Sequence, residues 1–224
     1  NLHDPDRIER PPNFMPQHPF DTGSLHVRDE ELAAHPRTEP ETRKHLAEYY
    51  AMISHLDARI GELIQTLKYI GEYDRTIIVL AGDNGLAIGQ HGLMGKQNSY
   101  DHSVRVPLVM AGPGMPRGER RDGLCYLLDV YPTLSDLAGL NTPASVEGRS
   151  LTPLLGDPSA TVRSHLYLAY INRHRAVREG RWKLIETVAQ GKHYTQLFDL
   201  EADPWEINDL ADDAECQGEV TRLR

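Results

Sequence analysis

Long apolar runs are missing from this 224-residue chain: the longest, from Thr76 to Ala81, is far short of the ~20 residues that cross a bilayer. A membrane-spanning helix is therefore not expected. Cysteine is scarce, and Cys125 and Cys216 stand 91 residues apart without a Cys-x-x-Cys spacing, which argues against a disulfide framework and a cysteine zinc site. No basic stripe is present, so nucleic acid is not an expected partner. The opening residues Asn1 to Arg10 are polar and charged and show no secretory signal. No internal repeat interrupts the chain. The net charge of −9 is local in origin: residues 201–219 hold eight acids and no Lys or Arg, while elsewhere 25 acids face 24 bases. This acidic tail is expected to be a solvated terminal segment.

Proline sets the character of the first 37 residues, with Pro11, Pro12, Pro16, Pro19 and Pro36. Because proline blocks helix interiors and central strands, this part reads as an extended segment lying on a surface. A long helix follows, opened by Thr38 and Glu41 as a capping box with Pro40 in its first turn. Leu46, Tyr49, Tyr50, Ile53, Leu56, Ile60, Leu63, Ile64 and Leu67 recur at steps of three and four and form one apolar face. Gly71 is the expected stop. The β-branched run Arg75 to Ala81 predicts a strand buried on both faces, as in a parallel sheet covered by helices. Val104 to Met110 predicts a second such strand, and Leu127 to Leu140 a helix despite Pro132. Helix, strand, loop, strand and helix in that order argue for an α/β sheet over residues 1–156. Beyond it, residues 157–224 read as a small antiparallel subdomain with strands at Ser164 to Ile171, Ala176 to Glu186 and Gln196 to Leu200.

Chemistry concentrates in the stretch from Ala81 to Lys96. Ligands of α/β sheets bind beyond the carboxyl ends of strands, where Asp83 and Asn84 fall. A carboxylate and an amide oxygen are hard donors suited to Ca²⁺ or Mg²⁺, although Asp-Asn-Gly also makes a tight turn with no ligand at all. Gly85, Gly89, Gly92 and Gly95 leave the backbone free to wrap a site closely. The stretch ends at Lys96, a cation that could face an anionic ester or simply sit in solvent. His91 could donate to a substrate oxygen or satisfy a loop carbonyl. His18, His26 and His102 read as loop or interface residues.

The run Asp83-Asn84-Gly85, then Gly89-Gln-His-Gly-Leu-Met-Gly-Lys96, Tyr100-Asp-His-Ser-Val-Arg-Val-Pro107 and Gly112-Pro-Gly114, resembles the sulfatase family. So do the helix text from His45 to Gly61, Arg181-Trp-Lys183-Leu184, and Leu197-Phe-Asp199 through Asp203-Pro-Trp-Glu206. The likeness runs from about residue 11 to residue 210. It implies an α/β fold with an alkaline-phosphatase-like sheet covered by helices, of which this is the C-terminal part, plus a small four-stranded antiparallel sheet. It also implies sulfuric-ester hydrolysis with a Ca²⁺ ion and a formylglycine made from Cys or Ser. By this resemblance Asp83 and Asn84 are the later pair of metal ligands, Asp83 also lying near the nucleophile, and Lys96 grips the sulfate and leaving-group oxygen. The implied substrate is a sulfated small molecule or a sulfated glycan, and the implied setting is an exported protein.

The family's nucleophile motif, Cys/Ser-x-Pro-x-Arg, is not matched by Leu124-Cys125-Tyr126 or by Glu215-Cys216-Gln217. Its first two metal-binding Asp follow an N-terminal buried strand that has no counterpart here, and Asp4 and Asp6 stand in polar text. The chain is therefore expected to be the C-terminal portion of a sulfatase, inactive by itself, with formylglycine expected upstream. Its apolar surface is expected to be covered by the missing N-terminal half or by another copy of the chain. Two other functions share these features: a phosphonate or phosphodiester hydrolase of the same superfamily, and a non-catalytic metal-binding or interaction module.

Overall fold

The computed structural model describes residues 3–224. Its longest element is α1, Glu39–Tyr69, 31 residues. The expected capping box does not form: Thr38 is extended and its hydroxyl caps nothing, although its carbonyl accepts from the Thr42 amide at 3.0 Å. The end is as expected. Gly71 donates to Lys68 at 3.2 Å and Glu72 to Leu67 at 2.9 Å, the paired bonds of a Schellman stop. Only the first turns of the apolar stripe are buried, with Leu46 packed among Ala33, Ile88 and Met94. Further along, Ile53, Leu56 and Leu63 are 47%, 55% and 66% exposed. Along that length His3 reaches the Ser54 hydroxyl at 2.9 Å, but these three apolar side chains stay in solvent.

The two strands that follow differ from the sequence reading. Tyr73–Arg75 winds into a 3-10 turn, closed by the Thr76 hydroxyl donating to the Glu72 carbonyl at 2.7 Å, so β1 is only Ile78–Ala81. Val104 ends a short helix, α2 (Asp101–Val104), and Pro107, having no N–H to donate, precedes β2, Leu108–Ala111. The pair is antiparallel, Ile78 opposite Ala111 and Ala81 opposite Leu108. Nor is it buried on both faces: Leu80 and Val109 are 42% and 56% exposed. The expected helix after residue 127 is a 3-10 turn at Leu127–Asp129 leading into α3, Val130–Leu137, with Pro132 harmless in the first turn. A single-turn helix, α4 (Thr152–Gly156), comes next.

A four-stranded antiparallel meander closes the chain: β3 His165–Tyr170, β4 His174–Glu179, β5 Trp182–Ala189 and β6 Lys192–Asp199. The single strand expected from Ala176 to Glu186 is two, because the chain reverses at Gly180 and pairs Glu179 with Trp182. Strand period separates the two faces. Leu184 and Leu197 face α5, Gln217–Leu223, through its Val220 and Leu223. Ala176, Ile185 and Phe198 face the glycine-rich stretch through Ala87, Leu93 and Tyr100. The acidic tail is largely solvated as expected, with Glu201, Asp209, Asp212, Asp213 and Glu215 exposed, but several of its acids also bind backbone. Asp209 accepts from the Leu197 and Ala211 amides at 3.0 Å each, Asp203 accepts from Ile207 and Asn208, and Glu206 is 2% exposed. These acids spend their charge on orphan backbone amides.

Candidate metal and sulfate site

The proline-rich segment lies along the surface with Pro12, Pro16, Pro19 and Pro36 exposed, but it also turns polar side chains inward, because its backbone and the loop over residues 85–96 satisfy each other. Met15 donates to Gly89 at 3.2 Å and His91 donates to Asn13 at 2.8 Å. The His18 Nδ1–H donates to the His91 carbonyl at 2.8 Å. Asn13, His18, Glu30 and Arg37 are all buried. The glycines allow this contact. Gly92 has φ of +75°, and a Cβ there would overlap the backbone of Gln17 and His18, so only glycine fits.

Asp83 and Asn84 lie two and three residues past the C-terminal end of β1. The Asn84 amide donates to Asp83 Oδ1 at 2.8 Å, and its Nδ2 donates to the Gly85 carbonyl at 2.8 Å. These bonds make the turn and aim the Asn84 amide oxygen outward. Lys96 Nζ donates to that oxygen at 3.2 Å, so the loop returns the lysine to the turn from which it departs. Three of the residues singled out in the sequence thus stand together at one exposed place. They present one carboxylate, one amide oxygen and one ammonium. No group of three His, Cys, Asp or Glu side chains arranged to hold a metal occurs among the described residues.

His91 takes no part in that contact. Its ring is buried, stacks on Tyr100 at 4.0 Å between centroids, and accepts from Asn13 Nδ2 through Nε2 at 3.1 Å. Burial, with His18 and Lys183 nearby, lowers its pKa to about 3, so the ring is neutral and a poor anchor for an anion. His18 is likewise lowered to about 4 by burial, against the opposing pull of its bond to His91. His102 is half-buried, but both its ring nitrogens are out of water, and that loss of water holds it well below the ordinary histidine range. Burial also raises the Cys125 thiol, as does Asp129.

One cluster has no forerunner in the chemistry read from sequence. Lys183, fully buried on β5, reaches Asp101 of α2 and Glu206 of the tail at 2.7 Å each. Glu206 also accepts from the Asp101 amide at 2.6 Å. Burial raises the Glu206 pKa. Burial pushes Asp101 the same way, but Lys183, Arg178 and Arg105 together outweigh it and hold that carboxyl low. Beside the cluster the Tyr100 hydroxyl donates to Gln196 at 2.7 Å. The motifs Arg181-Trp-Lys183 and Asp203-Pro-Trp-Glu206 are therefore a buried ionic joint between the sheet and the glycine-rich side, and nothing in their spacing alone says that they meet.

Comparisons with known proteins place the chain in a family. Residues 12–140 match the family model described as sulfatase, and residues 89–224 match that of the C-terminal part of N-sulphoglucosamine sulphohydrolase. A choline-sulfatase of Rhizobium meliloti (strain 1021) is 38% identical over 181 residues, 78% of this chain and 35% of that protein. A protein solved in complex with its substrate D-glucosamine-2-N,6-O-disulfate superposes with a TM-score of 0.75 at 28% identity, over 88% of this chain and 42% of that one. A phosphonate monoester hydrolase from Silicibacter pomeroyi superposes at 0.78 with 25% identity, over 98% of this chain and 49% of that one. The chain spans about a third of the length of that choline-sulfatase. Its fold is that of the C-terminal part of an alkaline-phosphatase-like α/β domain with an appended antiparallel sheet. A sulfatase model covers more than half of its residues, and the chain belongs to the sulfatase family.

Proposed function

We propose that the protein carrying this chain hydrolyses sulfuric esters, and that Asp83, Asn84 and Lys96 are the chain's contribution to the metal and sulfate site. The supporting observation is the 3.2 Å contact between Lys96 and Asn84 at the exposed end of β1. Asp83 and Asn84 are hard oxygen donors that fit Ca²⁺, and they supply two of the roughly 6–8 oxygens such an ion takes. Bound there, a divalent cation would polarise an ester oxygen as a Lewis acid. Lys96 brings an ammonium to the same place, offsetting the negative charge that gathers on sulfate and leaving oxygen as the S–O bond breaks. His91, with its ring committed to Asn13 and Tyr100, shapes the loop and does not reach the ester. A formylglycine does not fit either cysteine: neither Cys125 nor Cys216 lies in the required motif, and burial is the main cause that raises both thiols. This chain alone is accordingly inactive.

The substrate class is a sulfated small molecule or glycan, as for the choline-sulfatase and the glucosamine-disulfate complex among the relatives. The test compares an aryl sulfate with an aryl phosphonate as substrates of the full-length enzyme and its Lys96→Ala and Asp83→Ala variants. Lys96→Ala should lower kcat on the order of 10²-fold, the scale of losing one oxyanion donor. Asp83→Ala should abolish both turnover and its dependence on added metal. An effect of Lys96→Ala on KM alone would reduce that lysine to steering anions, and a preference for the phosphonate would move the protein to the phosphonate hydrolases.

A further inference from the structure

We propose that Glu30 is the positioning residue for Lys96, fixing the backbone just before that lysine from the far side of the loop. Glu30 lies on the 3-10 turn Arg28–Leu32 of the proline-rich segment and is 4% exposed. Its Oε2 accepts from the Met94 amide and its Oε1 from the Gly95 amide, each at 2.9 Å. Arg37, equally buried, donates to Oε2 at 2.5 Å, to the Glu30 carbonyl at 2.9 Å and to the Gly92 carbonyl at 3.2 Å. The next residue toward the N-terminus, Asp29, accepts from the Gln97 side chain at 2.9 Å, and Gln97 Oε1 accepts from the Lys96 amide at 3.1 Å. Every residue from Met94 to Gln97 is therefore tied to the segment 29–37 directly or through one neighbour. Gly95 completes the fit, since a Cβ there would stand 2.7 Å from Glu30 Oε1.

The inference rests on reading Lys96 as the sulfate-gripping group. The lysine side chain is exposed and makes one hydrogen bond among the described residues, at 3.2 Å, so its backbone largely limits where the ammonium can go. Burying a carboxylate is costly unless its oxygens are filled, and here both are filled by the two amides just before Lys96. Glutamine cannot replace it: with Oε1 and Oε2 both accepting, an NH₂ in either place would meet an N–H. Glu30 touches no substrate and acts only through the loop.

The experiment is a double-mutant cycle in the full-length enzyme, reading kcat and KM for an aryl sulfate in Glu30→Gln, Lys96→Ala and the double variant. Glu30→Gln should lower kcat about 10- to 100-fold, the range a misplacement near 1 Å produces, with KM within about 2-fold. The double variant should be no slower than Lys96→Ala. Multiplied losses in the double variant would overturn the proposal, because Glu30 would then support the fold at large. Full activity in Lys96→Ala would remove the reading of that lysine and this inference with it. Should Glu30→Gln not fold, Glu30→Asp, which keeps the charge opposite Arg37, goes through the same cycle: a loss absent from the Lys96→Ala background supports the proposal, and multiplied losses overturn it.

Discussion

Lys183→Met isolates the ionic joint between the C-terminal sheet and the rest of the chain. Methionine nearly matches the lysine stem in volume, so packing changes little while the cation disappears. What remains is Asp101 and Glu206, two carboxylates bridged only by the 2.6 Å bond from the Asp101 amide. Removing one partner from a buried charge cluster costs about 3–5 kcal/mol. For a chain of this size that lowers the melting midpoint by roughly 6–20 °C, at about 2–4 °C per kcal/mol. The cost should depend on pH. Glu206 already sits above the usual carboxylate range because of burial, and without Lys183 it rises further. A raised carboxyl contributes stability below its unfolded pKa and loses it as pH climbs through the folded value. The variant should therefore be least impaired near pH 5 and most impaired above neutrality. Trp182 and Trp205, the protein's two tryptophans, adjoin Lys183 and Glu206, so guanidinium unfolding followed by their fluorescence at several pH values reads the joint directly. A loss under about 1 kcal/mol, or one that ignores pH, would refute the argument that Lys183 is the main compensation of the two carboxylates, Arg105 and Arg178 standing 3.9 and 3.8 Å from Asp101.

Acid should weaken the wild-type protein through its buried histidines. His18 and His91 titrate near 4 and 3 when folded and near 6.5 when unfolded, so stability present above that value falls as pH drops from about 6.5 toward 4. Each histidine contributes a slope approaching about 1.4 kcal/mol per pH unit, and in urea titrations of His18→Gln the acid slope should shrink. Far from the site, Asp129 is fully buried beneath Arg163 and accepts from the Arg149 and Tyr126 amides at 2.7 and 2.8 Å. Asp129→Ala should cost about 3–5 kcal/mol in thermal unfolding without altering KM, and a shift in KM would tie α3 to substrate.

Helix α1 could be read because a 3.6-residue period is a property of one segment. Which turns of it are buried could not, since that depends on what lies alongside. The same limit explains β1 and β2: a β-branched run states that a strand forms, yet Ile78 to Ala81 contains nothing that selects an antiparallel over a parallel neighbour. The split at Gly180 was hidden by charged residues on both sides, where a half-buried hairpin alternates less cleanly than a buried strand.

The site itself divides along similar lines. That Asp83, Asn84 and Lys96 stand together was readable, because a strand end, a turn and a run of glycines are all local signals. The glycines, however, carried a second meaning. Their missing side chains admit the segment 13–37, whose Asn13, His18 and Glu30 meet the loop across 60 to 80 positions of sequence. No spacing rule links a glutamate in a 3-10 turn to two amides so far along the chain. The tail acids are mostly in solvent, as eight clustered negative charges suggest, but a charge count does not record that one of them, Glu206, finds Lys183. Buried carboxylates are tolerable only with their oxygens filled. Glu30 meets that condition with both oxygens on backbone amides, and Glu206 with one oxygen on the Asp101 amide and the other ion-paired with Lys183, from the two ends of the chain. The loop that carries Lys96 is thus gripped on one side by the proline-rich segment and on the other by the C-terminal sheet, so the family's scattered signatures converge on holding a single lysine and a single turn in register.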